Sequence, residues 1–210
     1  MEKRIAKIAD SVIDGEHMKR CVFIAGPSSS GKTTFAHRLA VQLRAHGVKP
    51  HTISLDNYFV DREHTPKDEF GNFDFECLEA LDLDLFNDHL QRMIAGETVK
   101  ILHYIFRTGQ REFRGQTITL GDQGVLVIEG IHGLNEKLSA AVERNAKLKI
   151  YISALTPLSF DDYNRIYTSD MRLMRRMVRD SQFRSHDALG TLQSWHKVRE
   201  GENKYIFPYC

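Results

Sequence analysis

The sequence predicts an α/β fold in which a parallel central sheet is covered by helices on both faces. Two short apolar runs, residues 21–25 and 125–128, have the length and composition of strands that are buried on both faces. Between them, Phe35, Leu39 and Leu43 repeat at the spacing of one helical face. Strands that alternate with helices are typical of a parallel sheet, because each parallel connection needs a crossover that a helix can supply.

In the first half of the chain, helical and strand patterns alternate. Ile5, Ile8 and Val12 share a helical face, and Pro66 and Gly71 interrupt a polar and aromatic stretch that fits no regular pattern. The expected elements are a helix over 3–14, a strand over 21–25, a helix over 34–46, a strand over 51–55, an irregular segment over 57–76 and a helix over 78–94.

The second half begins with a different pattern. Residues 99–106 and 116–120 carry β-type side chains on either side of Gly109 and Gly115, which predicts an inserted β-hairpin. The expected elements after it are a strand over 125–128, a strand over 147–153, a helix over 170–184 and a helix over 187–198.

Length and composition indicate one substantial domain. We expect residues 1–20 to hold a helix that connects to the domain and residues 21–210 to form the domain itself. Apolar residues make up 41% and charged residues 27%, and the formal net charge is +1, so neither nucleic acid nor a membrane is an expected partner. The three cysteines lie far apart, which favours reduced thiols in a cytoplasmic protein. Whether the chain forms a homo-oligomer stays open.

A glycine-rich run follows the first predicted strand and matches G-x-x-x-x-G-K-[ST], the phosphate-binding loop or P-loop. Its glycines allow successive N–H groups to point into one concave nest, Lys32 supplies positive charge for the β- and γ-phosphates, and the Thr33 hydroxyl can bind Mg²⁺. The order strand, loop, helix is the one that this motif requires, so we predict binding of a nucleoside triphosphate together with Mg²⁺. The predicted nucleotide-binding residues of the loop are Gly26, Pro27, Ser28, Ser29, Ser30, Gly31, Lys32, Thr33 and Thr34.

Two acidic residues come directly after predicted strands. Asp56 follows the second strand and Glu129 ends the strand over 125–128, so both should meet the loop at the carboxyl edge of the sheet. Asp56 can accept a proton from a substrate hydroxyl or hold Mg²⁺, and Glu129 is placed as a metal-site residue. The simpler interpretation of Asp56 is a residue that caps a turn.

Four arginines share one face of the predicted helix over 170–184. A solvated charged face is the usual explanation, and nucleic-acid binding is poorly supported at this net charge. A lid that closes over the γ-phosphate would offset their mutual repulsion, since guanidinium groups match phosphate oxygens in bidentate geometry. The stripe consists of Arg172, Arg175, Arg176 and Arg179.

Two further groups of aromatic residues are candidates for the acceptor side of a pocket. Asp74 lies between Phe73 and Phe75, where a carboxylate could hold vicinal hydroxyls of a sugar. Tyr104 and Phe106 project to the same side of a strand by its two-residue period. Packing into the core explains these aromatic residues equally well.

Taken together, these motifs resemble the uridine kinase and phosphoribulokinase family of P-loop kinases, over about residues 20–208. The shared segments are the loop, the turn 56–59, Asn72-Phe73-Asp74, 128–131 and 170–176. The resemblance implies an ATP- and Mg²⁺-dependent kinase that acts on the 5′-hydroxyl of a nucleoside. By this resemblance, the catalytic residues would be Asp56, Lys32, Arg172 and Arg175. The residues that bind Mg²⁺ would be Thr33, Asp56 and Glu129. Arg176 and Arg179 would contact the nucleotide, and the acceptor would contact Asp56, Tyr58, Phe59, Asp74, Tyr104, Phe106 and Arg172.

Within this family, the likeness is greatest to bacterial kinases that follow a small domain similar to one in threonyl-tRNA synthetases, in phrases such as 131–135 and 206–208. The resemblance implies that the first helix is the connector from such a domain and that the family's fold continues past residue 209 into another core strand. The sequence departs from the pyrimidine nucleoside kinases at two positions. Gly109 stands where they carry a base-reading histidine, and Ile105 replaces an acidic residue. Three functions therefore stay open: a nucleoside kinase of uncertain base preference, a sugar-phosphate kinase, and a nucleotide-binding regulatory module without transfer chemistry.

Overall fold

The computed structural model describes residues 1–14, 18–154, 159–184 and 187–210. Its centre is a four-stranded sheet in the order β2-β5-β1-β6, and all of its neighbouring strands are parallel. The strands are β1 Cys21–Ala25, β2 Lys49–Ser54, β5 Gly124–Glu129 and β6 Lys147–Tyr151, and the separate antiparallel pair is β3 Thr98–Ile105 and β4 Gln110–Thr119. The predicted α/β class with a parallel central sheet is confirmed.

Helices cover both faces of the sheet, because every residue of β1 and β5 is buried and both faces must be kept from water. On one face, α1 and α2 pack against Val22, Ile24 and Val127. On the other, α3 and the β3–β4 pair pack against Phe23 and Ile128. The helices are α1 Glu2–Ile13, α2 Lys32–Ala45, α3 Leu83–Ile94, α4 Thr168–Phe183 and α5 Ala188–Tyr205.

Three predicted boundaries were wrong. The helix expected from residue 78 begins at Leu83, because the Asp82 side chain accepts a hydrogen bond from the Leu85 N–H at 3.0 Å and caps it there. The second hairpin strand is β4, so it begins well before residue 116; the turn lies near Gly109, while Gly115 falls inside the strand. The last helix continues past residue 198, because Gly201 lets it pack directly against the Glu76 side chain.

Among the described residues, no helix has both the length and the apolar character needed to cross a bilayer.

Candidate active site

A cavity of about 750 Å³ opens at the carboxyl edge of the sheet, where β1, β2 and β5 end. In a parallel sheet this edge is where ligands usually bind. The cavity brings together the glycine-rich loop, Asp56, Glu129, arginines of α4 and a group of aromatic side chains. Segments distant in the sequence therefore meet at one site.

The loop between β1 and α2 has a backbone that only its own sequence permits. A Cβ on Gly26 would overlap the carbonyl oxygen of Ile152, and Gly31 has φ +98°. Lys32 extends back over the loop, and its Nζ donates to the carbonyl oxygens of Gly26 at 2.9 Å and Pro27 at 3.2 Å. Burial lowers the pKa of Lys32, which Glu129 and Asp56 partly oppose. The loop is therefore a preformed concave surface with one cation at its centre.

Two hydroxyl groups of the loop also fit a bound phosphate, because they are buried without a hydrogen-bond partner in the described part of the chain. They are the Oγ–H groups of Ser29 and Ser30. A buried hydroxyl without a partner is costly, and phosphate oxygens would supply acceptors at this point.

An acidic site lies beside the loop. One Glu129 carboxylate oxygen accepts from the Thr33 hydroxyl at 3.1 Å and from the Ser54 hydroxyl at 3.0 Å. Burial raises the pKa of Glu129, with a further contribution from Asp56 that Lys32 opposes. Within the described ranges, no group of three or more His, Cys, Asp or Glu side chains forms a metal cluster. Mg²⁺ commonly uses one or two carboxylates together with substrate phosphates, and Thr33, Asp56 and Glu129 fit that pattern.

Asp56 faces the same cavity from the short 3-10 turn Leu55–Tyr58 that follows β2. Its Oδ2 accepts a hydrogen bond from Arg184 at 3.2 Å. The Arg184 guanidinium lies 4.0 Å from the centre of the Phe106 ring, in cation–π geometry. Sequence reasoning did not select Arg184 as a site residue, although it is one turn beyond the arginine stripe.

The α4 stripe divides into two parts. Arg175, Arg176 and Arg179 line the cavity, and Arg176 Nη1 donates to the Ser28 hydroxyl at 2.9 Å. Arg172 does not line it: its side chain is buried, forms an ion pair with Glu202 of α5 and donates to the Ser28 carbonyl oxygen at 2.8 Å. This placement corrects the expectation that Arg172 contacts the acceptor, because the helix turns that side chain toward α5.

Aromatic side chains line the side of the cavity that the sequence predicts for the acceptor. Phe59 lies at the centre of the group, with ring centroids 5.5 Å from Tyr104, 6.3 Å from Phe106 and 6.2 Å from Phe75. Phe73 lies next to Phe75 and also lines the cavity. We call these five rings, of Phe59, Phe73, Phe75, Tyr104 and Phe106, the aromatic wall. These residues both pack together and face the cavity, so the two interpretations offered for them from the sequence are compatible.

Two residues expected at the acceptor lie elsewhere. Tyr58 is buried beneath the wall, where its hydroxyl is 3.1 Å from His89 Nδ1. Asp74 accepts from the N–H groups of Glu76 and Cys77, so its carboxylate stabilises the local turn and does not line the cavity. Glu76 lines the cavity instead, and burial raises its pKa to about 7, although Arg176 and Lys32 oppose the change. Sequence reasoning selected Asp74 and missed Glu76, although both carboxylates alternate with the phenylalanines of this segment.

Arg62 occupies the space beside Gly109. A Cβ on Gly109 would lie 2.7 Å from the Cβ of Arg62, and Gly109 has φ +74°. The Arg62 side chain bonds the Phe106 carbonyl oxygen, and Arg62 and Arg107 both line the cavity. A side chain at position 109 would need Arg62 to move.

This arrangement defines a class of protein. A parallel sheet, a phosphate-binding loop at the end of β1, acidic residues at the ends of β2 and β5, and arginines from a neighbouring helix together constitute a P-loop phosphotransferase site. Solved structures share the fold. A protein described as a candidate fructose transport system kinase from Silicibacter sp. TM1040 has a TM-score of 0.64 at 16% identity, over 96% of this chain and 95% of that one. A uridine kinase candidate from Bacillus stearothermophilus has a TM-score of 0.58 at 19% identity, over 95% and 96%.

The chain belongs to the phosphoribulokinase / uridine kinase family, whose model matches residues 21–210. It is 26% identical over 186 residues to a uridine kinase of Staphylococcus haemolyticus (strain JCSC1435), covering 88% of this chain and 80% of that protein. It is 30% identical over 182 residues to a uridine kinase of Schizosaccharomyces pombe (strain 972 / ATCC 24843), covering 85% and 35%. The chain is therefore a kinase, a nucleotide-binding transferase with a P-loop.

Proposed function

We propose that this kinase transfers the γ-phosphoryl group of ATP, with Mg²⁺, to a hydroxyl group of a nucleoside. The single observation that carries the proposal is that Asp56 shares one cavity with Lys32 and with the α4 arginines. An alcohol placed between the Asp56 carboxylate and the loop would meet both a base and the terminal phosphate.

In the proposed reaction, the acceptor oxygen attacks the γ-phosphorus and its proton passes to the Asp56 carboxylate. The bond between the γ-phosphorus and the β,γ-bridging oxygen breaks, and ADP leaves. Lys32, Arg175, Arg176 and Arg179 are placed to stabilise the charge on the transferring group. Mg²⁺, held by Thr33, Asp56 and Glu129, would neutralise phosphate charge.

On the acceptor side, we propose that the aromatic wall takes the base and Glu76 takes the sugar hydroxyls, the role that the sequence assigned to Asp74. Glu76 is supported by its position, since it lines the cavity and Asp74 does not. Phe59, Tyr104 and Phe106 present an apolar surface on which a flat ring could stack.

The test is a panel of acceptors with the purified protein, ATP and Mg²⁺, in which ADP and phosphorylated product are both measured. Acceptor-dependent product with at least one nucleoside is expected. Failure of every nucleoside and sugar to stimulate ADP formation would eliminate the proposal. Tight ATP binding, unchanged by Asp56→Asn and without any transfer, would indicate a regulatory nucleotide-binding module.

One observation favours a second candidate, an acceptor that already carries an anionic group. Arg62 and Arg107 line the acceptor side in addition to the α4 arginines, whereas a nucleoside carries no charge for them to bind. Lys67, the other basic residue considered from the sequence, lies over Phe73 and does not line the cavity. The substitution Arg62→Ala distinguishes the two candidates. It should raise the KM for a sugar phosphate at least about tenfold and leave the KM for a nucleoside little changed.

A further inference from the structure

One buried carboxylate contacts several of the arginines that face the cavity. Asp180 lies near the end of α4 and is only 3% exposed. Its Oδ2 accepts from Arg176 Nε at 3.1 Å, and its Oδ1 accepts from Arg179 Nε at 2.9 Å and Nη2 at 2.8 Å. Arg184 Nε lies 4.0 Å from the same Oδ1.

The electrostatics make this carboxylate necessary. Three guanidinium groups within 4.0 Å of one carboxylate repel one another, and burial at this place reduces the screening by water. Burial lowers the pKa of Arg184, and Arg179 and Arg176 act in the same direction, whereas Asp56 and Asp180 oppose them. Asp180 is thus a common anion for three cations, and its two oxygens set the direction in which the guanidinium groups point.

The same arginines connect the two halves of the site. Arg176 reaches the Ser28 hydroxyl of the phosphate-binding loop at 2.9 Å, and Arg184 reaches the Asp56 carboxylate at 3.2 Å. A continuous set of contacts therefore runs from the loop through Arg176, Asp180 and Arg184 to the proposed base.

We propose that Asp180 is a positioning residue, which aims Arg176 and Arg179 at the transferring phosphoryl group and holds Arg184 against Asp56. The inference rests on the proposed phosphoryl transfer and deepens it. Asp180 acts through the arginines, so its loss should affect the rate of transfer more than the binding of ATP.

Asp180→Asn keeps the shape of the side chain and removes its charge. Its kcat should fall by about 10- to 100-fold, the usual cost of losing a supporting contact to a site residue, with the KM for ATP within about fivefold of the wild type. Asp170→Asn is the matched control: Asp170 is an exposed acid at the start of the same helix and contacts no cavity arginine. It should keep the wild-type values.

A second measurement does not depend on activity. In ¹⁵N–¹H spectra of the arginine side chains, the Nε–H groups that bond Asp180 should give signals protected from solvent exchange in the wild type and in Asp170→Asn. At least one of the two signals should lose this protection in Asp180→Asn, because the amide keeps only one acceptor oxygen. If the wild type proves inactive with every acceptor, the proposed function fails and these spectra alone decide the positioning.

The proposal is overturned if Asp180→Asn keeps wild-type kinetics, if it loses kcat/KM through KM alone, or if Asp170→Asn falls equally. Absence of the two protected signals in the wild type overturns it as well. Should Asp180→Asn not fold, Asp180→Glu keeps the charge, displaces the carboxylate by one methylene group and undergoes the same measurements, with the same expected fall in kcat at a nearly unchanged KM for ATP.

Discussion

Asp56→Asn is the substitution that best separates chemistry from binding at this site. Asparagine has the shape of aspartate and can still accept a hydrogen bond from Arg184, but it cannot take the proton of an acceptor hydroxyl. A positioned general base contributes about 10²- to 10⁴-fold to a rate, which corresponds to roughly 3–5 kcal/mol of transition-state stabilisation.

The effect on stability should be much smaller. In the Asp56–Arg184 ion pair, at 3.2 Å, the side chains are 40% and 24% exposed, and a pair as open to water as this contributes about 0.2–1 kcal/mol. The variant should therefore lose kcat by at least about 100-fold, with the free energy of unfolding changed by no more than about 1 kcal/mol.

The assay couples ADP formation to acceptor phosphorylation, with urea unfolding and ATP binding measured on the same preparations. Asp82→Asn is the matched control, since Asp82 pairs with Arg111 at 2.9 Å and lies outside the cavity. A kcat for Asp56→Asn within tenfold of the wild type would refute the role of Asp56 as base. A loss of ATP binding equal to the loss of kcat would assign Asp56 to the nucleotide instead.

Three other substitutions test separate parts of the site. Gly26→Ala should weaken ATP binding at least about tenfold, measured by calorimetry, because its Cβ would overlap the Ile152 carbonyl oxygen. Glu76→Gln should remove a pH dependence of the free energy of unfolding. Burial raises the pKa of Glu76 from 4.5 to about 7, so between these pH values the native wild type holds a proton that the unfolded chain releases. The stability of the wild type should therefore fall as pH rises from 4.5 to 7, by at most about 3 kcal/mol. Urea unfolding at pH 5 and pH 8 should show that fall in the wild type and not in the variant. Glu129→Gln should raise the Mg²⁺ concentration for half-maximal activity at least about tenfold, whereas unchanged Mg²⁺ dependence would remove Glu129 from the metal site.

Local sequence patterns predicted the frame of this protein. The apolar runs at β1 and β5 and the glycine-rich loop are continuous in sequence, and their physical requirements are local: a doubly buried strand must be apolar, and a phosphate nest must contain glycine. Asp56 and Glu129 could be placed at one edge because parallel strands end together. These features identified the fold class and the approximate place of the site.

Where side chains point depends on contacts between segments distant in sequence, and only the tertiary structure decided that. Arg172 and Arg176 lie one turn apart on α4 and both reach Ser28 of the loop, yet Arg172 is buried against Glu202 of α5 whereas Arg176 lines the cavity. Glu76 lines the cavity and Asp74 does not, because the backbone N–H groups of Glu76 and Cys77 use the Asp74 carboxylate.

By itself, the sequence determined that this is an α/β protein with a nucleotide-binding loop directly before its second helix. Strand burial and loop conformation follow from residues next to one another, which is why both could be predicted. The tertiary structure alone decided that Asp180 contacts three arginines, that Arg184 reaches Asp56, and that Arg62 occupies the space beside Gly109. The physical reason is that charge pairing and exclusion of space act between atoms brought together by packing, at separations along the chain that no periodic pattern records.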